Sequence, residues 1–507
     1  MQTLFNNSIQ GCPNKFHCSF WFLIFILTNL ACAPSRFGIK HSFSKKAIAE
    51  LTQQIESVLG DSALYQSRTG IKVVSLQTGQ VLYARNSQLL FHPASNMKLL
   101  TTATALRKLR PNFRFKTTFF ADTSAVTDNT ISGNLYIKGF GNPSLTTKDL
   151  WGIVQKIKEL GIQQITGDLI CDETYLDDYY RGAGWMWDDA SSRYFPPIGA
   201  LTVNRNCVTV KVKPGAEVGD TLAVILEPPT SYVTIENFVV TADCSDSNLL
   251  KAFKIERKWR ESQNTITIKG GLKIQSPQKV RVIEIVAPAL YFGTLFSELL
   301  ADEKIALNGN IIKGTSPDTN LVLVEHLSEP LSSLITKNNK ESDNLYAELI
   351  LKTLGAEEKG KPGTAEKGIS VIKQFFNEMG VDTTSFGLAD GSGVSRYNVI
   401  SPDQIIELLK AMYKDFGLRA EFVASLAIAG VDGTLRNRMK NTSAQGKLRA
   451  KTGTIRGTSA LSGYTTTADG EPVAFSIIME HFVKPTSAIR KLQDQIGVIL
   501  SSFSSGR

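Results

Sequence analysis

Apolar residues recur along this chain with two spacings, and the switches between them divide it. Ala47 to Leu59 carries the three-to-four-residue spacing of an amphipathic helix, and Gly70 to Tyr83 reads as two strands around a glycine-bearing turn, a hairpin. Ala94 to Leu106 is apolar or small at nearly every position and predicts a buried helix. From Phe113 short strands take over, at Phe115 to Phe120 and Ser132 to Ile137, followed by a helix from Lys148 to Leu160 and the strand-like Ile165 to Asp172. Residues 203–272 are almost wholly strand-like, and Arg281 to Val286 with a helix from Tyr291 to Ala301 restores an α+β texture. Beyond Leu331 the pattern is helical: Leu331 to Lys337, Asn344 to Leu354, Ala365 to Met379, Pro402 to Asp415 and Arg419 to Leu426. Three strands follow, Gly446 to Thr454, Ser459 to Thr466 and Pro472 to Glu480, and then a helix from Ser487 to Leu500. The pattern predicts an α+β protein in which those three strands join the early hairpin in one antiparallel sheet, with the middle of the chain inserted.

One position breaks the pattern. Lys98 is the single formal charge between Ala94 and Leu106, and an ammonium in an apolar helix is costly. Pro93 and Ala94 suit a first helical turn, which places Ser95 near the helix start and Lys98 three residues on, on the same face. Burial favours the neutral amine and lowers its pKa, so Lys98 is a candidate base for a nucleophilic Ser95. The spacing alone is weak, because Ser42 to Lys45 and Ser276 to Lys279 share it.

Composition excludes some alternatives. Across 507 residues, 42% are apolar and 20% charged, the balance of a folded protein long enough for two to four domains. The net charge of +9 is dispersed rather than gathered into basic blocks, which argues against a nucleic-acid partner. Five scattered histidines and no paired cysteine motif predict no metal site, and nothing calls for a cofactor. Residues 1–33 hold one charged side chain, Lys15, and a short apolar run from Phe20 to Leu27, which reads as a secretory signal peptide and predicts an exported, periplasmic or cell-envelope protein. Ala31-Cys32-Ala33 resembles a cleavage site, while Leu30-Ala31-Cys32 resembles part of a lipoprotein box, so a lipid anchor on Cys32 stands as the alternative. Cys171, Cys207 and Cys244 then remain; one disulfide with a spare thiol and three free thiols are both open.

Two later patterns change the weight of Ser95-x-x-Lys98. Ser342-Asp343-Asn344 opens a predicted helix, and Lys451-Thr452-Gly453 lies on the first of the last three strands. In this order and context, the three form the set found in penicillin-binding proteins and class A β-lactamases. Acyl transfer explains the residue types. Ser95 and Lys98 supply nucleophile and base, and Ser342 is suited to relay a proton to the leaving amine. Asn344 can pair with a substrate amide, and Lys451 and Thr452 can hold a carboxylate. Gly453 admits close approach of the strand, and the amides of Ser95 and Thr454 are the candidate oxyanion donors.

The chain thus resembles the class C low-molecular-mass penicillin-binding proteins, the D-alanyl-D-alanine carboxypeptidase/endopeptidase family of serine peptidases. Gly139-Phe140-Gly141-Asn142-Pro143, Gly184-Trp185-Met186-Trp187-Asp188-Asp189, Asp390-Gly391-Ser392-Gly393 and Gly430-Val431-Asp432-Gly433-Thr434-Leu435 extend the resemblance over nearly the whole mature chain. It implies a transpeptidase-type catalytic domain from residues 44–112 and 328–507, an antiparallel sheet flanked by helices. It also implies two smaller insertions, an α+β domain from 113–204 and 278–327 and a nested β-rich domain over 205–277. The implied substrates are peptidoglycan stem peptides, with β-lactams as covalent inhibitors. By motif alignment the resemblance places Asp189 and Tyr194 beside the peptide side chain, with Arg396 nearby. Two other readings remain. A β-lactamase needs a positioned water, and the class A E-x-x-x-N loop is not found between Ser342 and Lys451. A catalytically silent peptidoglycan-binding protein would have no reason to keep all three motifs.

Overall fold

The two ends of the chain assemble a six-stranded sheet in which every neighbouring pair is antiparallel. Its order is Ala427–Ile428, Arg449–Ile455, Thr458–Thr466, Pro472–Glu480, Arg68–Ser75, Val81–Arg85, so the last long strand pairs with the first. This is the predicted sheet with one short edge strand, Ala427–Ile428, added. The computed structural model describes residues 42–122, 126–189, 192–318 and 321–504, and the leader with Cys32 lies outside the described residues.

Alternation along the strands sends side chains to both faces. Ile71, Val73, Phe475, Ile477 and Met479 pack on one side beneath the helices Lys45–Leu59 and Thr486–Ser502. Val74, Ala460, Ala474 and Ile478 face the other side, against the helices Met97–Lys108, Asn344–Lys359 and Pro402–Lys414. The Asn344 helix is buried at every position from Asn344 to Ala356, as its sparse charge requires.

Among the described residues, those between 113 and 327 form four further sheets. A five-stranded one runs Ile311–Lys313, Leu169–Asp172, Leu135–Gly139, Lys116–Ala121, Leu321–Leu327, beside a small four-stranded one. Two three-stranded sheets follow, one of Ala223–Glu227, Cys207–Lys213 and Lys279–Glu284, the other of Thr234–Ala242, Thr265–Lys273 and Lys254–Arg257. A single hydrophobic cluster, from Phe119 through Val210 and Ile268 to Val324, runs through these sheets. Cys171 and Cys207 are buried and Cys244 is exposed, and all three are free thiols. Among the described residues no helix is long and apolar enough to cross a membrane.

Candidate active site

The nucleophile segment differs from its prediction in one respect. Pro93 and Ala94 do not open the helix: Ala94–Asn96 forms a 3-10 turn, the α-helix begins at Met97, and Ala94 sits at φ 46°, a left-handed conformation that costs an alanine roughly 1–2 kcal/mol. Two glycines allow it to be held there. A Cβ on Gly393 would stand 1.8 Å from the Ala94 carbonyl oxygen, and one on Gly453 would stand 2.7 Å from that of Pro93. Both backbones therefore press on the turn that presents Ser95.

Lys98 is completely buried. Its Nζ lies 2.7 Å from Asn344 Oδ1, 2.7 Å from the Ser392 carbonyl and 3.1 Å from Ser95 Oγ. The first two partners only accept, so a neutral amine spends both its hydrogens on them and directs its lone pair at the Ser95 hydroxyl. Burial lowers its pKa to about 8, opposed by the charges of Asp390, Glu348 and Asp343.

Two of those carboxylates, Glu348 and Asp390, fix the loop that supplies the Ser392 carbonyl. Glu348, one helical turn beyond Asn344, accepts from the amides of Gly391 (3.1 Å) and Ser392 (2.8 Å). Asp390 accepts from the amides of Gly393 and Ser395, from Asn398 Nδ2 and from Trp185 Nε1. Glu348 is itself pushed up to about 7, by burial and by Asp390.

Ser342 occupies the corner between two helices at φ 61°, Asp343 caps the second helix through the Tyr346 amide (3.1 Å), and Asn344 is its first residue. Serine, a cap and an inward amide thus fall on successive residues. Lys451 donates to Ser342 Oγ (2.8 Å) and to the Thr452 carbonyl (2.9 Å). It too is fully buried, and burial together with the Lys98 charge lowers its pKa well below that of an ordinary lysine. The structure therefore separates the lysines: Ser342 is bonded to Lys451, while Lys98 takes the Ser392 carbonyl, a partner that sequence could not supply.

Above this floor opens a cavity of about 470 Å³. Ser95, Ser342, Asn344, Thr452 and Thr454 line it, and so do Asp189, Tyr194 and Arg396, so the structure gathers these eight predicted residues. Lys98, Lys451 and Gly453 lie beneath the lining. Asn344 Nδ2 donates to the Tyr194 carbonyl (2.7 Å), which ties the inserted segment to the floor. Burial raises the Asp189 pKa, and its carboxylate accepts from the Met186 amide in its own turn (3.2 Å). Sequence reasoning assigned no role to Thr434, Arg456 or Arg490, which also line the cavity. Thr434 lies in the Gly430–Leu435 motif and is bonded to Thr452 Oγ1 at 2.8 Å, so that motif was the available signal. Arg490 had none.

The site sits in a chain whose residues 51–502 match the profile of the D-Ala-D-Ala carboxypeptidase 3 (S13) family. A D-alanyl-D-alanine carboxypeptidase of Actinomadura sp. (strain R39) is 33% identical over 471 residues, covering 90% of this chain and 85% of that protein. The D-alanyl-D-alanine carboxypeptidase DacB of Haemophilus influenzae is 25% identical over 456 residues, covering 89% and 92%. The crystal structure of penicillin binding protein 4 (dacB) from Haemophilus influenzae matches with a TM-score of 0.78 at 24% identity, over 90% of this chain and 99% of that one, a likeness of fold. Relatives named as carboxypeptidases over nearly their full length leave no support for a catalytically silent reading. A family match that spans the sheet, the insertion and all three motifs is decisive, and the chain belongs to the D-Ala-D-Ala carboxypeptidase 3 (S13) family of serine peptidases.

Proposed function

We propose that this carboxypeptidase removes the terminal D-alanine of peptidoglycan stem peptides through an acyl-enzyme on Ser95. The observation that carries the reading is the Lys98 amine 3.1 Å from Ser95 Oγ, with its two other partners restricted to accepting. In acylation, Lys98 takes the Ser95 proton as Oγ bonds to the D-alanyl carbonyl carbon. The amides of Ser95 and Thr454 hold the oxyanion, and Ser342, polarised by Lys451, passes a proton to the departing amine as the C–N bond breaks. Water then attacks the ester carbonyl, its proton restoring the Ser342–Lys451 pair, and Lys98 returns its proton to Ser95 Oγ as the acyl–oxygen bond breaks. A β-lactam ring offers the same acyl carbon, so penicillins acylate the same serine.

The remaining roles belong to the same proposal. Asn344 pairs with a substrate amide, Thr452 faces the terminal carboxylate, and Gly453 gives the strand close approach. Asp189, Tyr194 and Arg396 meet the peptide side chain. The organisation proposed is a catalytic domain from residues 44–112 and 328–507, an α+β insertion from 113–204 and 278–327, and a nested β-rich module over 205–277. Cleavage of D-alanyl cross-links, which presents the same acyl carbon, is a second proposed activity. The leader reading supports export, with Cys32 acylation as its lipid-anchored form.

The test is a fluorescent penicillin followed by peptide mapping, with D-alanine release scored by mass spectrometry on the same protein. Label on the Ser95 peptide and stoichiometric D-alanine are expected, both lost in Ser95→Ala. Covalent label elsewhere in the cavity of Ser95→Ala refutes the assignment. Rapid turnover of the penicillin without D-alanine release favours a β-lactamase.

A further inference from the structure

The sequence assigns the substrate carboxylate to Lys451 and Thr452, yet the structure places the Lys451 ammonium under the cavity. Both of its hydrogen bonds go to protein oxygens, and burial weakens its hold on a proton. An anion in the cavity would meet the cations that line it, Arg396, Arg456 and Arg490, and of these Arg490 is the one whose side chain is bonded to a threonine hydroxyl of the Lys451 strand. Arg490, in the second turn of the helix Thr486–Ser502, lines the cavity and donates from Nη2 to Thr454 Oγ1 at 2.9 Å. Thr454 in turn donates to the Gly453 carbonyl at 2.8 Å, which leaves the guanidinium and the threonine hydroxyls at one end of the opening.

Arg490 is not committed to a neighbouring carboxylate. The carboxylate one turn further on, Asp494, is held by Arg438 at 2.8 Å, and among the described residues Arg490 joins no ion pair. Desolvation and the neighbouring Arg438 lower its pKa, against the attraction of Asp494. A planar guanidinium beside hydroxyl groups is matched to a carboxylate, which it meets with two parallel N–H bonds.

We propose that Arg490, positioned by Thr454, is the charged specificity residue for the free terminal carboxylate of the scissile D-amino acid, bound together with the hydroxyl of Thr452. The inference rests on the carboxypeptidase reading above and names the group that makes a free C-terminus the preferred substrate. A carboxylate several bonds from the reacting carbon is held alike in the ground and transition states. Its loss therefore appears in KM rather than kcat.

The experiment compares Arg490→Gln and Arg490→Lys with the parent protein on a diacyl-L-lysyl-D-alanyl-D-alanine peptide and on its C-terminal amide. Far-ultraviolet circular dichroism checks that each variant is folded. For the acid, Arg490→Gln is expected to raise KM roughly tenfold to a hundredfold with kcat within about twofold, and Arg490→Lys to recover part of the loss. For the amide, the same variants are expected to match the parent. Equal losses on acid and amide would reduce Arg490 to a support for Thr454, and an unchanged KM on the acid would remove it from the site; either overturns the proposal. Failure of the underlying reading looks different, since the parent protein would then release no D-alanine from the acid.

Discussion

Lys98, Lys451 and Glu348 form the floor of the cavity wholly out of water, and their side chains bond to motif residues or to the 391–393 loop. The wall is made otherwise. Met186, Asp189 and Tyr194 come from one inserted stretch whose 3-10 turn is closed by bonds between Met186 and Asp189, and Met186 and Tyr194 remain about half exposed. In a buried network, loss of one partner strands the others without compensation from solvent. On a solvated turn, water replaces what a substitution removes. The floor should therefore tolerate no change in chemistry, whereas the wall should tolerate changes that alter only which peptide is preferred.

The largest effect that would test the contrast is at the centre of the floor. Lys98→Met removes the base and leaves Asn344 Oδ1 and the Ser392 carbonyl without their donor. Penicillin acylation, measured by stopped flow, should fall about 10³-fold, within the range of general-base losses. A loss under tenfold would show that another group takes the Ser95 proton.

Next comes the pH dependence of that step. Neutral Lys98 is the reactive form and its pKa lies at about 8, so acylation should rise about tenfold per pH unit below pH 8 and level off above it. Glu348→Gln removes a negative charge that raises the Lys98 pKa, so the limb should move to lower pH. The shift should be clearest above pH 7, where Glu348 itself is ionised. The variant also alters the acceptors of the Gly391 and Ser392 amides, and a roughly tenfold lower plateau should accompany the shift. A limb that stays in place in Glu348→Gln would detach the loop carboxylates from the tuning of the base.

A smaller effect is expected on the wall. Asp189→Asn should raise KM up to about tenfold for a stem peptide bearing a cationic side chain and leave kcat on a neutral acyl donor unchanged. Loss of kcat on both substrates would mean that the wall helps to hold the floor, and the distinction would fail.

The same contrast governs what could be read from the chain alone. Ser95-x-x-Lys98, Ser342-Asp343-Asn344 and Lys451-Thr452-Gly453 are legible because each packs several roles into one local geometry. The Ser342 corner shows this, with a left-handed serine, a capping aspartate and an inward asparagine in succession. The sheet was legible because both of its faces are buried, so its central strands read as near-continuous runs of apolar and small residues bounded by turns. The left-handed Ala94 was not, since it is imposed by Gly393 and Gly453, hundreds of residues downstream. The Ser392 carbonyl was not, because a backbone acceptor carries no side-chain signature. Arg490 was hidden for a third reason: an arginine on an amphipathic helix reads as surface until the fold sets it beside Thr454.

The smallest effect probes the seam between wall and floor. Arg205, from the inserted region, reaches Glu341 at 2.7 Å and Asp343 at 3.1 Å, the residues on either side of Ser342. The Arg205 side chain is about one-third exposed and that of Glu341 about half, so solvent screens much of the pairing, and Arg205→Ala should cost no more than about 1 kcal/mol in denaturant unfolding. Asp343 would keep its cap on Tyr346, and Ser342 its bond from Lys451. The kcat for D-alanine release should thus stay within twofold of the parent. If it fell tenfold with stability intact, the ion pair would be setting the position of Ser342. The inserted region would then belong to the catalytic apparatus as well as to substrate choice.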